Sequence, residues 1–462
     1  MKLTVFQSID GDCMMITGSD GKMVLADGGR RRSYSASVAA SLAKMKSREK
    51  DFEAVYISHI DADHVEGVER MLGDLIEWTR FDFQSGQPDS ENFKPPKVPR
   101  PIRPKKFWHN SFHDLKENNA GEIADLLAAS ATVLSFLPAN ADVELVKVAA
   151  EHSDLATSMR QALNISSRIR KNLLNIKLNP EFKSKLMMIK KGGPKTIKVG
   201  KMKWHIIGPG GPQLERLRTE WDAWLDSDDG GKAVTEVSEK AEEDAGSIGN
   251  SATGVPQLIA QRSSQAERLA NAFLKNDFAL AAKVQGRDGV TVPNLASLMF
   301  LVEEGPLAKR KTILMTGDGH WRDIDDGLRA QKLYDKDGNL HVNVLKIQHH
   351  GASGNMNPEF LKKVTADHYV FSGVSARHTN PEKDVVDQVL DSRLVSSAKG
   401  THPKVKNKFK LWFSGSSKNM DLSDDDREYI EEIEDLVADR ADASRFSAYF
   451  HDSGPSFDVK RI

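Results

Sequence analysis

The stretch SHIDADHVEG, residues 58–67, concentrates metal-capable side chains at a point where a strand passes into a helix. Four of them fall within six residues: His59, Asp61, Asp63 and His64. The preceding run AVYIS, residues 54–58, is apolar and long enough for one buried strand, and VEGVERMLGDLIEW, residues 65–78, has helical spacing. Ligands in α/β folds bind at the carboxyl ends of strands. Four such side chains here favour a metal site over a polar helix cap.

The donor atoms of this stretch indicate the kind of metal. They are oxygen and nitrogen without thiolate, a set that suits Zn²⁺, Mn²⁺ or Fe rather than Ca²⁺. His59 and Asp61 stand two residues apart and can point the same way from an extended loop. Asp63 and His64 are adjacent and can serve a second centre. The spacing therefore leaves room for two ions.

Two later segments repeat the arrangement of an apolar strand followed by a polar cluster. TILMT, residues 312–316, leads to Asp318, and VNVLKI, residues 342–347, leads to His349 and His350. Three such strands converge at one edge of a sheet, so we expect an α/β fold with the site at that edge. Adjacent side chains on an extended backbone face opposite ways. We therefore expect one of the two histidines to bind metal and the other to contact substrate or stabilise the leaving group.

Composition excludes several classes of protein. The 462 residues suffice for roughly two or three domains. Lys and Arg total 65 against 66 for Asp and Glu, so the net charge of −1 gives the whole molecule no attraction for nucleic acid or acidic lipid, although a local basic patch would. The single cysteine, Cys13, excludes an internal disulfide framework and fits a reducing compartment. Without a long apolar stretch, we expect a soluble, cytoplasmic protein with no membrane association.

Shifts in composition divide the chain into four segments. Residues 1–85 form the first half of a core, and residues 86–200 combine a Pro-rich loop with a helical insertion. Residues 201–395 form the second half of the core and contain a polar linker at 226–255, which we expect to be less ordered than its surroundings. Residues 396–462 form a small C-terminal extension with an acidic helix.

The motifs together resemble a known superfamily. H-x-D-x-D-H-x-x-G at residues 59–67, the Gly-Asp pair ending at Asp318 and the H-H-G that begins at His349 resemble the metallo-β-lactamase superfamily, and more narrowly the metallo-hydrolase domain of ComEC-type competence proteins. The opening FQSIDGDCMMITGSDGKMVLADGG is also similar. The resemblance covers roughly residues 1–85, 200–215 and 290–395. It implies a four-layer αβ/βα sandwich, two mixed sheets packed face to face with helices outside and the metal site at one edge.

The resemblance also implies roles for individual residues. It implies one ion held by His59 and Asp61, a second held by Asp63, His64 and His350, and Asp318 as a bridge between them. It implies a catalytic group of Asp63, Asp318, His349 and His378. Asp27 would orient a ligand loop. The expected cofactor is one or two Zn²⁺ ions, with Mn²⁺ as the alternative, because Asp61 stands where the commoner motif has histidine.

One ligand of the family pattern has no certain counterpart. Relatives carry an isolated histidine between the first motif and the Gly-Asp pair, and here the candidates are His109, as an extra ligand, and His205. A packed or surface histidine is the alternative for each. A single-ion enzyme is therefore the alternative to a two-ion enzyme.

A metal-acidified water can attack phosphorus or a carbonyl carbon. Two ions about 3.5–4 Å apart suit phosphodiester cleavage, and the resemblance implies a nucleic acid or nucleotide substrate, hence a phosphodiesterase or nuclease. Arg30 and Arg31 are candidate phosphate contacts, with a solvated charge run as the alternative. The alternative functions are an ester or lactone hydrolase of the same fold, or a scaffold or regulated effector that docks a protein partner through the helical insertion.

Overall fold

The computed structural model divides the chain into two compact units. The first comprises Met1–Asn110, Asn164–Gly211 and Pro293–Ile462, and the second Ser111–Leu163 and Pro212–Val292. The structure describes residues 1–45, 51–86, 93–110, 161, 164, 165, 168, 169, 173–183, 186–189, 196–210, 296–396, 399–440 and 444–459. Most of the predicted helical insertion and the whole linker at 226–255 lie outside these residues. The described residues belong almost entirely to the first unit.

A seven-stranded mixed sheet contains the N-terminal strands. In spatial order its strands are β17 (Ser456–Val459), β1 (Lys2–Phe6), β2 (Met14–Thr17), β3 (Met23–Ala26), β5 (Ala54–Tyr56), β7 (Lys106–Trp108) and β8 (Lys177–Leu178). Strands β17, β1, β2 and β3 pair antiparallel, whereas β3, β5, β7 and β8 pair parallel. A separate ribbon joins β4 (Asp51–Phe52) to β6 (Arg103–Pro104). The central strand β5 is buried along its whole length, as its unbroken apolar run predicts.

An eight-stranded mixed sheet contains most of the later strands. In spatial order these are β16 (Phe446–Phe450), β15 (Phe409–Phe413), β14 (Val364–Phe371), β13 (Leu340–Lys346), β12 (Lys311–Met315), β11 (Met299–Glu304), β10 (Met202–Gly208) and β9 (Thr196–Val199). Strands β12 to β16 pair parallel, and β9 to β12 pair antiparallel. The parallel strands therefore end at a common edge of this sheet.

Helices follow several of these strands. They are α1 (Arg31–Ser33), a π-helical turn (Tyr34–Val38), α2 (Ala39–Met45), α3 (Ala62–Ser85), α4 (Trp321–Ala330), α5 (Pro358–Lys363), α6 (Lys383–Leu394) and α7 (Asp424–Asp439). The acidic helix α7 begins where Ser423 caps it by accepting a hydrogen bond from the Asp426 amide, and its first turn is acidic, which complements the helix dipole. Among the described helices, none is long and apolar enough to cross a membrane.

Three clusters of buried apolar side chains hold these elements together. One cluster contains side chains of both sheets, Tyr56 and Trp204 among them. A second joins the eight-stranded sheet to helices α4 to α7, and a third joins the seven-stranded sheet to α2 and α3. The mixed α/β class predicted from the sequence is therefore confirmed.

The described residues of the C-terminal segment, 399–440 and 444–459, belong to the first compact unit. They contribute β15 and β16 to one sheet and β17 to the other. The rings of Trp412 and Phe457, one from each sheet, stack with centroids 5.9 Å apart. The apolar faces of these strands are buried in the shared clusters, which is why the segment cannot stand apart from the core.

Candidate metal centre

Parallel strands of both sheets deliver polar side chains to one place. Asp27 follows β3, the 58–64 loop follows β5, Asp318 follows β12, and the pair of histidines follows β13. The loops are joined by backbone hydrogen bonds, for example from the amide of His349 to the carbonyl of Gly317 at 3.2 Å. The structure thus brings together the three clusters on which the sequence argument depends.

Three ligand atoms already have the spacing of a coordination site. His350 Nε2 lies 3.0 Å from Asp63 Oδ2, His64 Nε2 lies 3.4 Å from the same oxygen, and the two ring nitrogens are 3.3 Å apart. Donor atoms on one tetrahedral ion with bonds of about 2.1 Å are about 3.4 Å apart. Asp63, His64 and His350 therefore need little movement to bind one ion.

Asp318 lies at the centre of a second, overlapping group. Its Oδ2 is 3.3 Å from His64 Nε2, 3.5 Å from His350 Nε2 and 3.7 Å from His59 Nε2. Asp61 precedes α3 in an extended conformation, yet its side chain makes no capping hydrogen bond; instead its Oδ2 lies 3.3 Å from His59 Nε2. The Asp61 carboxylate therefore faces His59 rather than the amides of the first helical turn.

Asp27 and Ser58 hold the ligand rings from behind. Asp27 accepts hydrogen bonds from the Ser58 amide at 2.7 Å and from its hydroxyl at 2.8 Å, and its Oδ2 lies 3.2 Å from His64 Nδ1. Ser58 Oγ also lies 3.0 Å from His59 Nδ1. A carboxylate behind a ligating imidazole fixes its tautomer and orientation. Asp27 Oδ2 therefore lies beside the ring of His64, on the side of Nδ1.

Two glycines, Gly28 and Gly67, allow the D-G-G loop at residues 27–29 to approach α3 closely. The Gly28 amide donates to the carbonyl of His64, and the Gly67 amide donates to that of Gly29, both at 2.8 Å. A Cβ atom on Gly67 would lie 1.9 Å from the carbonyl oxygen of Gly28. The glycines of D-G-G and H-x-x-G are thus required by close backbone approach.

Two charged residues of the centre, Asp12 and Lys346, were not predicted from the sequence. Both are buried, and Lys346 Nζ lies 2.6 Å from Asp12 Oδ2. Asp12 Oδ1 accepts a hydrogen bond from Ser372 and lies 3.3 Å from His350 Nδ1. The available signal was a lysine at the end of the apolar run VNVLKI, because a buried ammonium requires a charged partner.

The expectation that His349 and His350 face opposite ways was wrong. Both residues have left-handed backbone conformations, with φ of 47° and 53°, so the extended-strand argument does not apply. His349 Nε2 also approaches Asp318 Oδ2, at 3.7 Å, while its side chain keeps 29% exposure. Left-handed non-glycine residues are strained by about 1–3 kcal/mol and persist where the surroundings fix them. The turn directs both rings toward Asp318.

Without a metal, carboxylates and protonated histidines balance one another in this centre. Burial opposes charge on His350, but Asp318 and Asp12 outweigh it and raise its pKa to about 10. Burial likewise opposes charge on His64, yet Asp318, Asp63 and Asp27 raise its pKa well above the usual range. Burial alone would raise the pKa of Asp63 and Asp318, but the neighbouring histidines hold both well below the usual range.

A divalent ion fits this donor set. Metal ligands must be deprotonated, so an ion would replace the protons that the carboxylates now hold on the rings. His59 Nε2 is buried and has no hydrogen-bond partner within the described ranges. A buried donor atom without such a partner, facing two carboxylates, is what a ligand position requires.

Three predicted histidines do not join these groups. His109 follows β7 and is fully buried, burial lowers its pKa to about 4, and neither ring nitrogen has a hydrogen-bond partner in the part of the chain that the structure describes. His205 instead lies 3.1 Å from Glu303. His378 stands on a turn; partial burial and Arg377 lower its pKa, while Asp63 raises it. No ligand group among the described residues contains any of the three.

The predicted arginines differ from each other. Arg30 borders a cleft of about 650 Å³ that Arg32 and Arg377 also line, and its Nε lies 3.1 Å from Asp10. Arg31 pairs with Glu69 and does not line the cleft. Of the two candidate phosphate contacts, only Arg30 faces this space.

No family model matches this chain, and no curated protein matches it. The chemistry of the centre and the sequence pattern together therefore carry the functional proposal.

Proposed function

We propose that this chain is a metal-dependent hydrolase that cleaves phosphodiesters. Asp63, His64 and His350 would hold one divalent ion, and Asp318 would stand between that ion and a second one at His59 and Asp61. The observation that carries the proposal is the set of three ligand atoms 3.0–3.4 Å apart, already gathered where strands end.

The proposal includes membership of the metallo-β-lactamase superfamily with its four-layer sandwich. Support comes from the motifs at residues 59–67 and 349–351, and from an apolar cluster shared by two mixed sheets, each of which also packs against helices. The donor set of nitrogen and oxygen suits Zn²⁺, and the carboxylate of Asp61 in place of an imidazole makes Mn²⁺ the alternative.

When bound, such ions polarise the electrophile and acidify water toward neutral pH. Asp318 Oδ2, surrounded by histidine nitrogens at 3.3–3.7 Å, is the oxygen that this carboxylate would offer to the ions. Asn355 fixes the tautomer of His349: its amide nitrogen donates to the carbonyl of Asp318 at 2.7 Å, so its oxygen accepts from His349 Nδ1 at 2.8 Å. His349 therefore directs an unprotonated Nε2 toward the centre, where the half-exposed ring would first take a proton from the attacking water and then give it to the leaving group.

A phosphodiester is the preferred substrate because a centre with several carboxylates and two ions suits in-line displacement at phosphorus. Arg30 is a candidate phosphate contact, and it pairs with Asp10 in a cleft lined by three arginines and four carboxylates. The sequence pattern favours nucleic acid or a nucleotide. Ester or lactone hydrolysis by the same centre is the alternative reaction.

The test is hydrolysis by metal-free protein supplied with Zn²⁺ or Mn²⁺. We expect turnover of bis-p-nitrophenyl phosphate, DNA, RNA or nucleotides that EDTA abolishes. Asp63→Ala and Asp318→Ala should abolish it, because each removes a charged ligand, and Asp318→Asn should be nearly as severe. Asp384→Asn, exposed on α6, is the matched control and should retain activity.

Other results of this experiment would reject either the substrate or the enzyme. Turnover of esters or lactones alone would leave the metal centre standing and reject the substrate. Wild-type hydrolysis by Asp318→Ala, or no hydrolysis of any substrate by metal-loaded protein that remains folded, would reject the enzyme and favour a scaffold that docks a partner protein.

A further inference from the structure

Lys346 is a buried cation at the heart of the proposed centre. Its ammonium group lies 2.6 Å from Asp12 Oδ2, 2.9 Å from the carbonyl oxygen of Gly317 and 3.4 Å from Asp318 Oδ1. The ammonium group donates hydrogen bonds to the oxygens of Gly317 and Asp318 and forms an ion pair with Asp12 Oδ2. Lys346 is therefore fixed in position rather than mobile.

The contact with Lys346 gives the two carboxylate oxygens of Asp318 different partners. Oδ1 faces Lys346, while Oδ2 faces the ring nitrogens of His64, His350, His59 and His349 at 3.3–3.7 Å. A carboxylate that is not held in this way can offer both oxygens to metal. In this chain only Oδ2 is directed toward the histidines.

Lys346 also fixes the acid behind the ligand rings. Asp12 Oδ2 pairs with Lys346, and Asp12 Oδ1 accepts from Ser372 and contacts His350 Nδ1. The amide of Asp12 donates to the carbonyl of Asp63 at 3.2 Å. Asp12 thus contacts two proposed ligand residues, and its charge is balanced by Lys346 rather than by the ion.

The number of charged groups in the centre is consistent with a permanent positive charge on Lys346. The carboxylates are Asp12, Asp27, Asp61, Asp63 and Asp318. Together with the ammonium of Lys346 they leave four net negative charges, the number that two divalent ions neutralise. Without Lys346 the buried centre would carry one uncompensated charge more, which is strongly unfavourable in a low-dielectric interior.

We propose that Lys346 is a resident cation of the centre: it balances Asp12 and holds Oδ1 of Asp318, so that Asp318 presents Oδ2 alone to a bound ion. Lys346 is a positioning residue in this proposal. The part that concerns a bound ion rests on the proposed function, whereas the ion pair of Lys346 with Asp12 does not, because it exists in the metal-free protein.

The first test is a double-mutant cycle on metal-free protein, followed by urea unfolding. Lys346→Met should lower the urea midpoint because it leaves Asp12 and Asp318 unbalanced, and Asp12→Asn should lower it because it leaves Lys346 with one anionic partner fewer. The double variant removes both charges of the pair and should recover more than half of the loss seen in Lys346→Met.

The cycle is decisive even if Lys346→Met does not fold, because recovery of folding in the double variant then becomes the readout. A double variant that is no more stable than Lys346→Met overturns the proposal. Lys311→Met, in the neighbouring strand β12 and half-buried, is the matched control and should leave the midpoint unchanged.

The second test measures Zn²⁺ affinity by calorimetry. Loss of a fixed positive charge near a dication should tighten binding by at least about tenfold in folded Lys346→Met, while Lys311→Met should bind as the wild type does. Unchanged or weaker binding would contradict the role of Lys346 beside an ion. If the wild type binds no divalent ion, the proposed function fails, and the metal-free cycle still decides the charge balance.

Discussion

At the scale of single residues, His64 has a carboxylate on each side of its ring. Asp27 contacts Nδ1 while Asp63 and Asp318 face Nε2. Replacing Asp27 with Asn removes the negative charge beside the ring and one of the two acceptor oxygens, without removing a proposed ligand. We expect metal affinity to fall by about 10- to 100-fold, measured by calorimetry with Zn²⁺ or Mn²⁺. Equal affinity in Asp27→Asn and the control Asp384→Asn would show that the orientation of His64 does not depend on this contact.

The histidines also give the metal-free protein a pH dependence of stability. The pKa of His350 is raised to about 10 in the folded chain, against about 6.5 for an ordinary histidine. The stabilisation is therefore complete below about pH 6.5 and is lost as the pH rises through about 10. We expect the free energy of unfolding, measured by urea in metal-free buffer, to fall between about pH 7 and about pH 10.

Two comparisons isolate this effect from other titrating groups. His350→Gln should show a shallower fall over the same range, and the metal-loaded wild type should not lose stability in this way, because its ligating rings are already neutral. A metal-free wild type whose stability is constant or rises toward pH 10 would contradict the assignment.

The candidate ligands were easier to predict from the sequence than the charged residues packed around them. His59, Asp61, Asp63 and His64 are recognisable because they crowd one loop after an apolar strand. Lys346 is invisible to that argument, since one charge at the end of an apolar strand looks like the strand's first solvent-exposed residue. The role of Lys346 depends on its ion pair with Asp12, which is more than three hundred residues away along the chain, and no local sequence pattern links the two residues.

At the scale of elements, α3 can approach the metal centre only because Gly67 of the helix faces Gly28 of the D-G-G loop. A Cβ on Gly67 would lie 1.9 Å from the carbonyl oxygen of Gly28, whereas a Cβ on Gly73, in the same helix, would meet only the end of the Arg168 side chain at 3.5 Å. Gly67→Ala should therefore destabilise the protein by about 1–3 kcal/mol or more. Gly73→Ala should stabilise it by about 0.5–1 kcal/mol.

Thermal unfolding of the two variants is the measurement. The melting temperature should fall in Gly67→Ala and rise in Gly73→Ala, so the two variants are readily distinguished. Gly67→Ala should also weaken metal binding, because the displaced helix carries Asp63 and His64. If both alanine variants change the melting temperature in the same direction, the close approach of α3 to the D-G-G loop is not what requires glycine at 67.

The elements show where local patterns suffice and where they fail. Apolar runs predicted β5, β12 and β13 because strands buried on both faces need continuous apolar residues. The turn at 348–351 was not predicted, because nothing in Gln-His-His-Gly requires left-handed histidines. Contacts made by the turn fix that conformation, including the bond from His350 Nδ1 to the carbonyl of Ser372 at 2.8 Å.

At the scale of the whole molecule, the two sheets depend on distant parts of the chain. Strand β17 pairs with β1, so the last described strand lies beside the first. Composition set residues 396–462 apart because they follow the recognisable motifs, but pairing partners of strands are set by tertiary packing. Fold class follows from the order of strands and helices, whereas strand neighbours do not.

The most direct test of the central claim is the metal content of the purified protein. Wild-type chain dialysed against Zn²⁺ or Mn²⁺ and then against metal-free buffer should retain up to two divalent ions per chain by mass spectrometry. Asp63→Ala and His350→Ala, checked for folding by circular dichroism, should retain fewer, because each removes a ligand from the best-formed group. Folded wild-type protein that retains no ion, or variants that retain as much as the wild type, would contradict a metal centre at Asp63, His64 and His350.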